Sequence, residues 1–228
     1  MLRMSGSKQP KPHMFFGREG LSVKRGRIPH GSHPLLEQKG RGMGNMTSSR
    51  LTMRKRIGIF GGSFDPPHKG HVEICRHLLV KNDVDEIWAV PCFMHPYNKV
   101  MAPFKDRVMM CKFAFEEFGG RVIISDAEKK MGDVSYTINT IEHFTERYPE
   151  YKFYFIVGSD TAKDAAKWKD SEKINSLIQL IRVPRGPDSL IPDISSTDVR
   201  NCIKNGKSFK ELVTRQVAVY IVTHGLYS

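Results

Sequence analysis

Residues 57–71, Ile-Gly-Ile-Phe-Gly-Gly-Ser-Phe-Asp-Pro-Pro-His-Lys-Gly-His, constrain the fold more than any other stretch of this 228-residue chain. The apolar run Ile57–Phe60 predicts a short strand, Pro66 and Pro67 stiffen a tight turn, and the amphipathic segment from His71 to Val80 predicts a helix. Glycines at 61 and 62 let backbone N–H groups come close to a ligand. His68 and His71 fall where the helix begins. A strand, a glycine turn and a helix N-terminus in succession suit a bound polyphosphate.

The length allows one domain of ordinary size plus an extension. A net charge of +12 suggests a nucleic-acid binder until it is divided along the chain. Residues 1–53 hold ten Lys/Arg and two Glu, a net +8, whereas the remainder holds 26 basic and 22 acidic residues, a net +4. The folded part is therefore only mildly positive, as suits an enzyme of anionic nucleotides, and there is little reason to expect nucleic acid as a partner. Cys75, Cys92, Cys111 and Cys202 are scattered, with no CxxC pair and no zinc spacing, so they read as reduced thiols. No run of about 18 apolar residues is present, which argues against a membrane span. A secretory h-region is also missing, and the expected location is cytoplasmic, or organellar if the first 53 residues form a transit peptide.

Those 53 residues are rich in Gly, Pro, Ser, Arg and Lys without a sustained apolar period, and read as a disordered basic extension. A targeting peptide, a loose nucleic-acid or membrane-contact arm, and upstream sequence included by a wrongly chosen start all fit; Met53, ahead of Arg54-Lys55-Arg56 and the first strand, resembles a natural start. From residue 54 to 228 the pattern alternates. Strands are expected at Arg56–Phe60, Glu86–Val90, Arg121–Ser125, Lys152–Val157 and Ile178–Val183. Helices are expected at His71–Val80, Phe104–Phe118, Thr137–Arg147, Ser196–Asn205 and Phe209–His224. In the second of these, Phe104, Val108, Cys111 and Phe115 recur at helical spacing. The alternation predicts an α/β fold, a doubly wound sheet of about five parallel strands with helices on both faces and a ligand crevice at the carboxyl ends of the strands.

The string Gly61–His71 resembles the signature of the HxGH nucleotidyltransferase superfamily, whose histidines and loop amides hold a nucleotide triphosphate during adenylyl or cytidylyl transfer. The resemblance implies a Rossmann-like fold, phosphate contacts from Gly61, Gly62, Ser63 and Phe64, and catalytic roles for His68 and His71. A second segment, Ile194-Ser195-Ser196-Thr197 followed by Arg200, is similar to the closing ISSTxxR motif of that superfamily, which binds the β and γ phosphates. An N-cap at Ser196 or Thr197 accounts for one hydroxyl. It does not account for Arg200, whose planar guanidinium suits phosphate.

Two further segments narrow the resemblance to the bacterial nicotinate/nicotinamide-nucleotide adenylyltransferases. Ser135-Tyr136-Thr137, continuing to Thr140, is similar to the SYTxxT mark of that family, which lies beside the pyridine nucleotide; alone it reads as a helix cap. Gly158-Ser159-Asp160 followed by Trp168 is similar to the family's G-x-D near the adenosine half and its pyridine-stacking tryptophan, although a buried tryptophan is more often core. One departure stands out. The family usually carries PPHK after the second strand, where this chain reads His95-Pro96-Tyr97-Asn98-Lys99, with Lys99 supplying the cation.

The resemblance implies transfer of AMP from ATP to nicotinate or nicotinamide mononucleotide with release of pyrophosphate, in NAD biosynthesis, Mg2+ arriving with ATP and no dedicated metal site. Two alternatives stay open. A pantetheine-phosphate adenylyltransferase or cytidylyltransferase would share the histidine loop but has no reason to carry SYTxxT. A non-catalytic nucleotide- or nucleic-acid-binding protein would have no reason to retain His68, His71 and Arg200. The sequence leaves a homo-oligomer open and does not decide between nicotinate and nicotinamide.

Overall fold

The apolar runs become five parallel strands in the computed structural model, which describes residues 54–163, 165–184, 189 and 191–228. The readings offered for residues 1–53 lie outside the described residues. Strands β1 (Arg56–Gly62), β2 (Glu86–Pro91), β3 (Val122–Ile124), β4 (Lys152–Gly158) and β5 (Gln179–Val183) pair in the order β3-β2-β1-β4-β5. The chain builds outward from β1 to β3, then returns to the other side of β1 to place β4 and β5. That reversal opens a crevice at the carboxyl ends of β1 and β4.

Alternating side chains sort the strands between two cores. Ile57, Ile59, Val90, Phe153, Phe155 and Val157 pack with Ile138, Ile141 and Phe144 of α4 (Thr137–Arg147) and Ile174 of α6 (Ser171–Leu177). Phe60, Ile87, Ala89, Ile156 and Val183 pack on the opposite side, against α1 (Lys69–Val80), α2 (Phe104–Ala114), α7 (Ser196–Lys204) and α8 (Arg215–Thr223). Gly58 lets β1 pack closely on β4, since a Cβ there would stand 2.7 Å from Ile156 Cδ1 and that side chain would have to shift. Two short helices, α3 (Ala127–Met131) and α5 (Ser159–Lys163), sit beyond β3 and β4.

The expected strands and the α4 helix match the observed elements to within two residues at each end. Three helical expectations change. The helix expected to reach Phe118 ends at Ala114 and gives way to a 3₁₀ turn, Glu116–Arg121, in which Gly119 takes φ 54°. The buried face of α2 runs through Arg107, Met110, Cys111 and Ala114 rather than Phe104 and Val108. Arg107 is drawn inward because its guanidinium finds backbone carbonyls there. The last helix starts at Arg215, after a turn closed by Leu212 N–H to Phe209 O. Cys75, Cys92 and Cys111 are buried and no cysteine is disulfide-bonded among the described residues; burial raises the Cys75 and Cys111 thiols, which makes them poor nucleophiles. No described helix is long and apolar enough to cross a membrane.

Candidate active site

The loop from Gly61 to His68 leaves the carboxyl end of β1 at the centre of the sheet and enters α1, with a cis peptide bond between Asp65 and Pro66. Packing fixes its course. Phe64, at φ 47°, turns its ring into the core against Phe60 and Phe115 and lies 4.9 Å, centroid to centroid, from the His71 ring. With its side chain 1% exposed, Phe64 can offer a ligand only its backbone and otherwise supports His71. Gly61 and Gly62 pass close to the Phe155 and Phe64 rings.

His68 occupies the N-cap of α1 in extended backbone and is buried, while His71 lies one turn on. Their rings overlap with centroids 3.7 Å apart. The His68 N–H donates to His71 Nδ1 at 3.2 Å, so neutral His71 carries its proton on Nε2 and keeps that N–H as a donor. Gly70 between them leaves room for the His68 ring, because a Cβ would stand 3.0 Å from that ring and 3.2 Å from the Pro192 carbonyl oxygen.

The second predicted segment meets the first. Ser195, not Ser196 or Thr197, caps α7: its Oγ accepts from Asp198 N–H and the Asp198 carboxylate accepts from Ser195 N–H. This capping box, Ser-x-x-Asp, was visible in the sequence and identifies the cap without a structure. The neighbouring hydroxyls are thereby left for other partners. Ser196 Oγ donates to Pro66 O at 2.8 Å, and Arg200 donates to Thr197 Oγ1 at 3.1 Å and to Asp65 O at 2.6 Å. Ile194 is half-buried against the core and its N–H donates to Pro192 O. Two helix N-termini, those of α1 and α7, therefore flank one loop, a geometry that favours a polyanion.

The loop's interior carries polar groups that sequence reading did not single out. Asp65, 1% exposed, accepts at Oδ1 from Tyr227 Oη (2.8 Å) and Ala102 N–H (3.0 Å). Arg107, equally buried, donates to Ser63 O at 2.8 Å and to Ala102 O at 2.9 Å. Burial and the adjacent Asp65 carboxylate raise the Tyr227 phenol, so it remains a donor.

Beside this loop lies a cleft of about 540 Å³ whose lining includes His95, Asn98, Lys99, Ala102, Arg107 and Tyr136. Lys99 is exposed on its rim, in the segment that departs from PPHK. That segment folds as a turn with Asn98 N–H on His95 O and Tyr97 N–H on His95 Nδ1. Burial lowers the His95 pKa, with Lys99 and Arg107 adding to the shift, and the cleft lining holds those two cations and no carboxylate, which makes it electropositive.

The SYTxxT hydroxyls divide between scaffold and cleft. Ser135 Oγ accepts from Phe93 N–H and Met94 N–H, and Thr140 donates to buried Glu128, which also accepts from Phe93 N–H. These residues hold the cleft wall. Tyr136 faces the cleft, with Lys169 Nζ 4.5 Å from its ring centroid, and Thr137 opens α4. Trp168 is half-buried, edge-on to Phe155 at 5.9 Å. Gly158 ends β4 and is followed by Ser159; the Asp160 side chain lies outside the described residues.

Known proteins share this sequence pattern and this fold. Residues 59–202 match the cytidylyltransferase-like family model. The chain is 34% identical to a probable nicotinate-nucleotide adenylyltransferase of Myxococcus xanthus over 75% of its length and 94% of that protein's. It is 38% identical to the corresponding Thermotoga maritima protein, over 76% and 94%. The fold is shared with a Plasmodium falciparum nicotinic acid mononucleotide adenylyltransferase solved with NaAD, at a TM-score of 0.65 and 23% identity over 76% of this chain and 97% of that one. Matched by that family model over more than half of its length and by curated relatives over nearly all of theirs, the chain belongs to the cytidylyltransferase-like nucleotidyltransferases and, among them, to the nicotinate-nucleotide adenylyltransferase family.

Proposed function

We propose that the protein transfers the AMP moiety of ATP to nicotinate mononucleotide, releasing pyrophosphate and forming the dinucleotide precursor of NAD. The observation that carries this reading is the junction of Arg200 and Ser196 with the Asp65-Pro66 backbone, which sets two helix N-termini around one loop beside an electropositive cleft. The triphosphate lies along the loop, with Gly61, Gly62 and Ser63 as backbone donors. Gly158 and Asp160 flank the adenosine half.

The mononucleotide's 5′-phosphate attacks the α-phosphorus of ATP in line with the departing pyrophosphate. That oxygen is already ionised at neutral pH, so no general base or protein nucleophile is needed. Catalysis reduces to alignment and stabilisation of charge. His71 donates from Nε2, with His68 beside it, to charge developing at the α-phosphoryl and leaving group. Ser195, Ser196, Thr197 and Arg200 receive the pyrophosphate.

Mg2+ arrives on the ATP phosphates. The one carboxylate inside the loop, Asp65, is committed to Tyr227 and Ala102, and no group of three or more His, Cys, Asp or Glu gathers into a cation cage among the described residues. A hydrated octahedral ion held by phosphate oxygens fits such a site, because it needs few protein ligands. It would neutralise phosphate charge.

Lys99, Lys169 and Arg107 around Tyr136 favour a carboxylate on the pyridine ring over an uncharged amide. Trp168 supplies the stacking face and Ser135, Tyr136 and Thr137 the adjoining wall. Pyrophosphate release from ATP with each mononucleotide in turn tests the assignment.

A further inference from the structure

Asp65 lies between the two halves of the site. Its backbone carbonyl accepts from Arg200 at 2.6 Å, on the ATP side, while its carboxylate accepts from the N–H of Ala102 at 3.0 Å, in the wall of the mononucleotide cleft. The same Oδ1 accepts from Tyr227 Oη at 2.8 Å, and Oδ2 stands 3.8 Å from Arg200 Nη1. Ala102 is fixed from its other end as well, since its carbonyl accepts from Arg107, which also donates to Ser63 O. One buried carboxylate thus ties the histidine loop, the cleft wall and residue 227 together.

We propose that Asp65 and Tyr227 are positioning residues of the transfer reaction, setting the register between the ATP loop and the mononucleotide cleft. The proposal rests on the adenylyl-transfer reading, because only a reaction between two bound substrates makes that register matter. In-line displacement needs the attacking oxygen and the α-phosphorus close and collinear, and a displacement of about 1 Å between the two half-sites costs on the order of a hundredfold in rate. Neither Asp65 nor Tyr227 touches the reacting atoms. The Tyr227 hydroxyl holds the Asp65 carboxylate in place through a charge-assisted bond to a buried acceptor. Without that hydroxyl the carboxylate is free to turn away from Ala102. The two half-sites can still each bind their own substrate, but not in a fixed relation.

The test compares Tyr227→Phe, which removes one hydroxyl and keeps the ring, with Tyr220→Phe. Tyr220 makes the same kind of bond, Oη to Asp106 Oδ1 at 2.9 Å, but it links α8 to α2 and does not involve the loop. The wild-type protein is first assayed with ATP and nicotinate mononucleotide. Tyr227→Phe should lower kcat by about tenfold with each KM within about twofold of wild type, while Tyr220→Phe keeps wild-type kcat at a similar melting temperature. Equal kcat in the two variants overturns the proposal. Amide hydrogen exchange gives a second reading that does not depend on turnover: Tyr227→Phe should speed exchange at Ala102 N–H and His68 N–H, and Tyr220→Phe should not. An inactive wild type contradicts the transfer reading and leaves exchange to judge the tie. Unchanged exchange at both amides overturns the tie itself.

Discussion

Arg200 Nη1 donates to the backbone carbonyl of Asp65 at 2.6 Å, across a sequence separation of 135 residues. Its other terminal nitrogen donates to Thr197 Oγ1 at 3.1 Å, so the planar guanidinium is aimed before any ligand arrives. Arg200→Lys keeps the charge but cannot serve both acceptors with a fixed fork. The expected result is a fall in kcat/KM for ATP of about tenfold to a hundredfold, read in steady-state kinetics, with Arg200→Ala lower still. Wild-type kinetics in Arg200→Lys would show that charge alone matters at this position.

His71→Ala should reduce turnover by about a hundred- to a thousandfold, the scale of removing one preorganised donor to developing charge. The His71 ring also packs on Phe64, so a melting curve of the same preparation separates lost chemistry from lost folding. Unchanged turnover in a folded variant removes His71 from the mechanism.

Gly70→Ala places a methyl group 3.0 Å from the His68 ring and 3.2 Å from the Pro192 carbonyl oxygen. Crowding costs about 1–3 kcal/mol and alanine regains about 1 kcal/mol of helix propensity, so the net stability loss should not exceed about 2 kcal/mol. Activity should fall by about tenfold or more because the displaced ring is His68. Denaturant unfolding and kcat measured together check the separation.

Much of this arrangement was legible in the chain. The strands announced themselves because a sheet covered on both faces needs continuous apolar runs, and Thr137–Arg147 carried a clean helical period. The two segments proposed to bind phosphate could be recognised one by one, but not their contact. Asp65 reads locally as a turn residue, and neither Arg107 nor Tyr227 carries a local signal for its role. Their meaning arises from pairings 162 and 44 residues apart, which no local period encodes. The inward rotation of α2 has the same origin, since hydrophobic spacing cannot anticipate an arginine satisfied by Ser63 and Ala102 carbonyls.

Trp168→Ala should raise the KM for the mononucleotide by about tenfold, the scale of losing one base-sized stacking contact, and leave the KM for ATP within about twofold. Trp168 also packs edge-on against Phe155, so a purely structural role predicts equal losses for both substrates. Kinetics with each substrate varied in turn decide between these outcomes.

Burial raises the Glu128 carboxyl above its ordinary value of 4.5, against hydrogen bonds from Ser135, Phe93 N–H and Thr140 that act to lower it. A folded-state pKa above the unfolded one contributes stability that is fully present below the unfolded value and is lost as pH rises through the folded value. Relative to Glu128→Gln, the wild-type protein should therefore lose stability as pH increases from about 4.5 toward neutrality. Chemical denaturation of both proteins across that range would show a widening gap. A constant difference means Glu128 titrates as it does unfolded.

Incubating the protein with ATP, Mg2+ and either nicotinate or nicotinamide mononucleotide, and following both pyrophosphate and dinucleotide, tests adenylyl transfer directly. The two products should form in equal amounts, with kcat/KM for the nicotinate substrate at least about tenfold above that for the amide. Pyrophosphate release with neither mononucleotide, or only with a phosphopantetheine acceptor or with CTP as the donor, would contradict the proposed transfer.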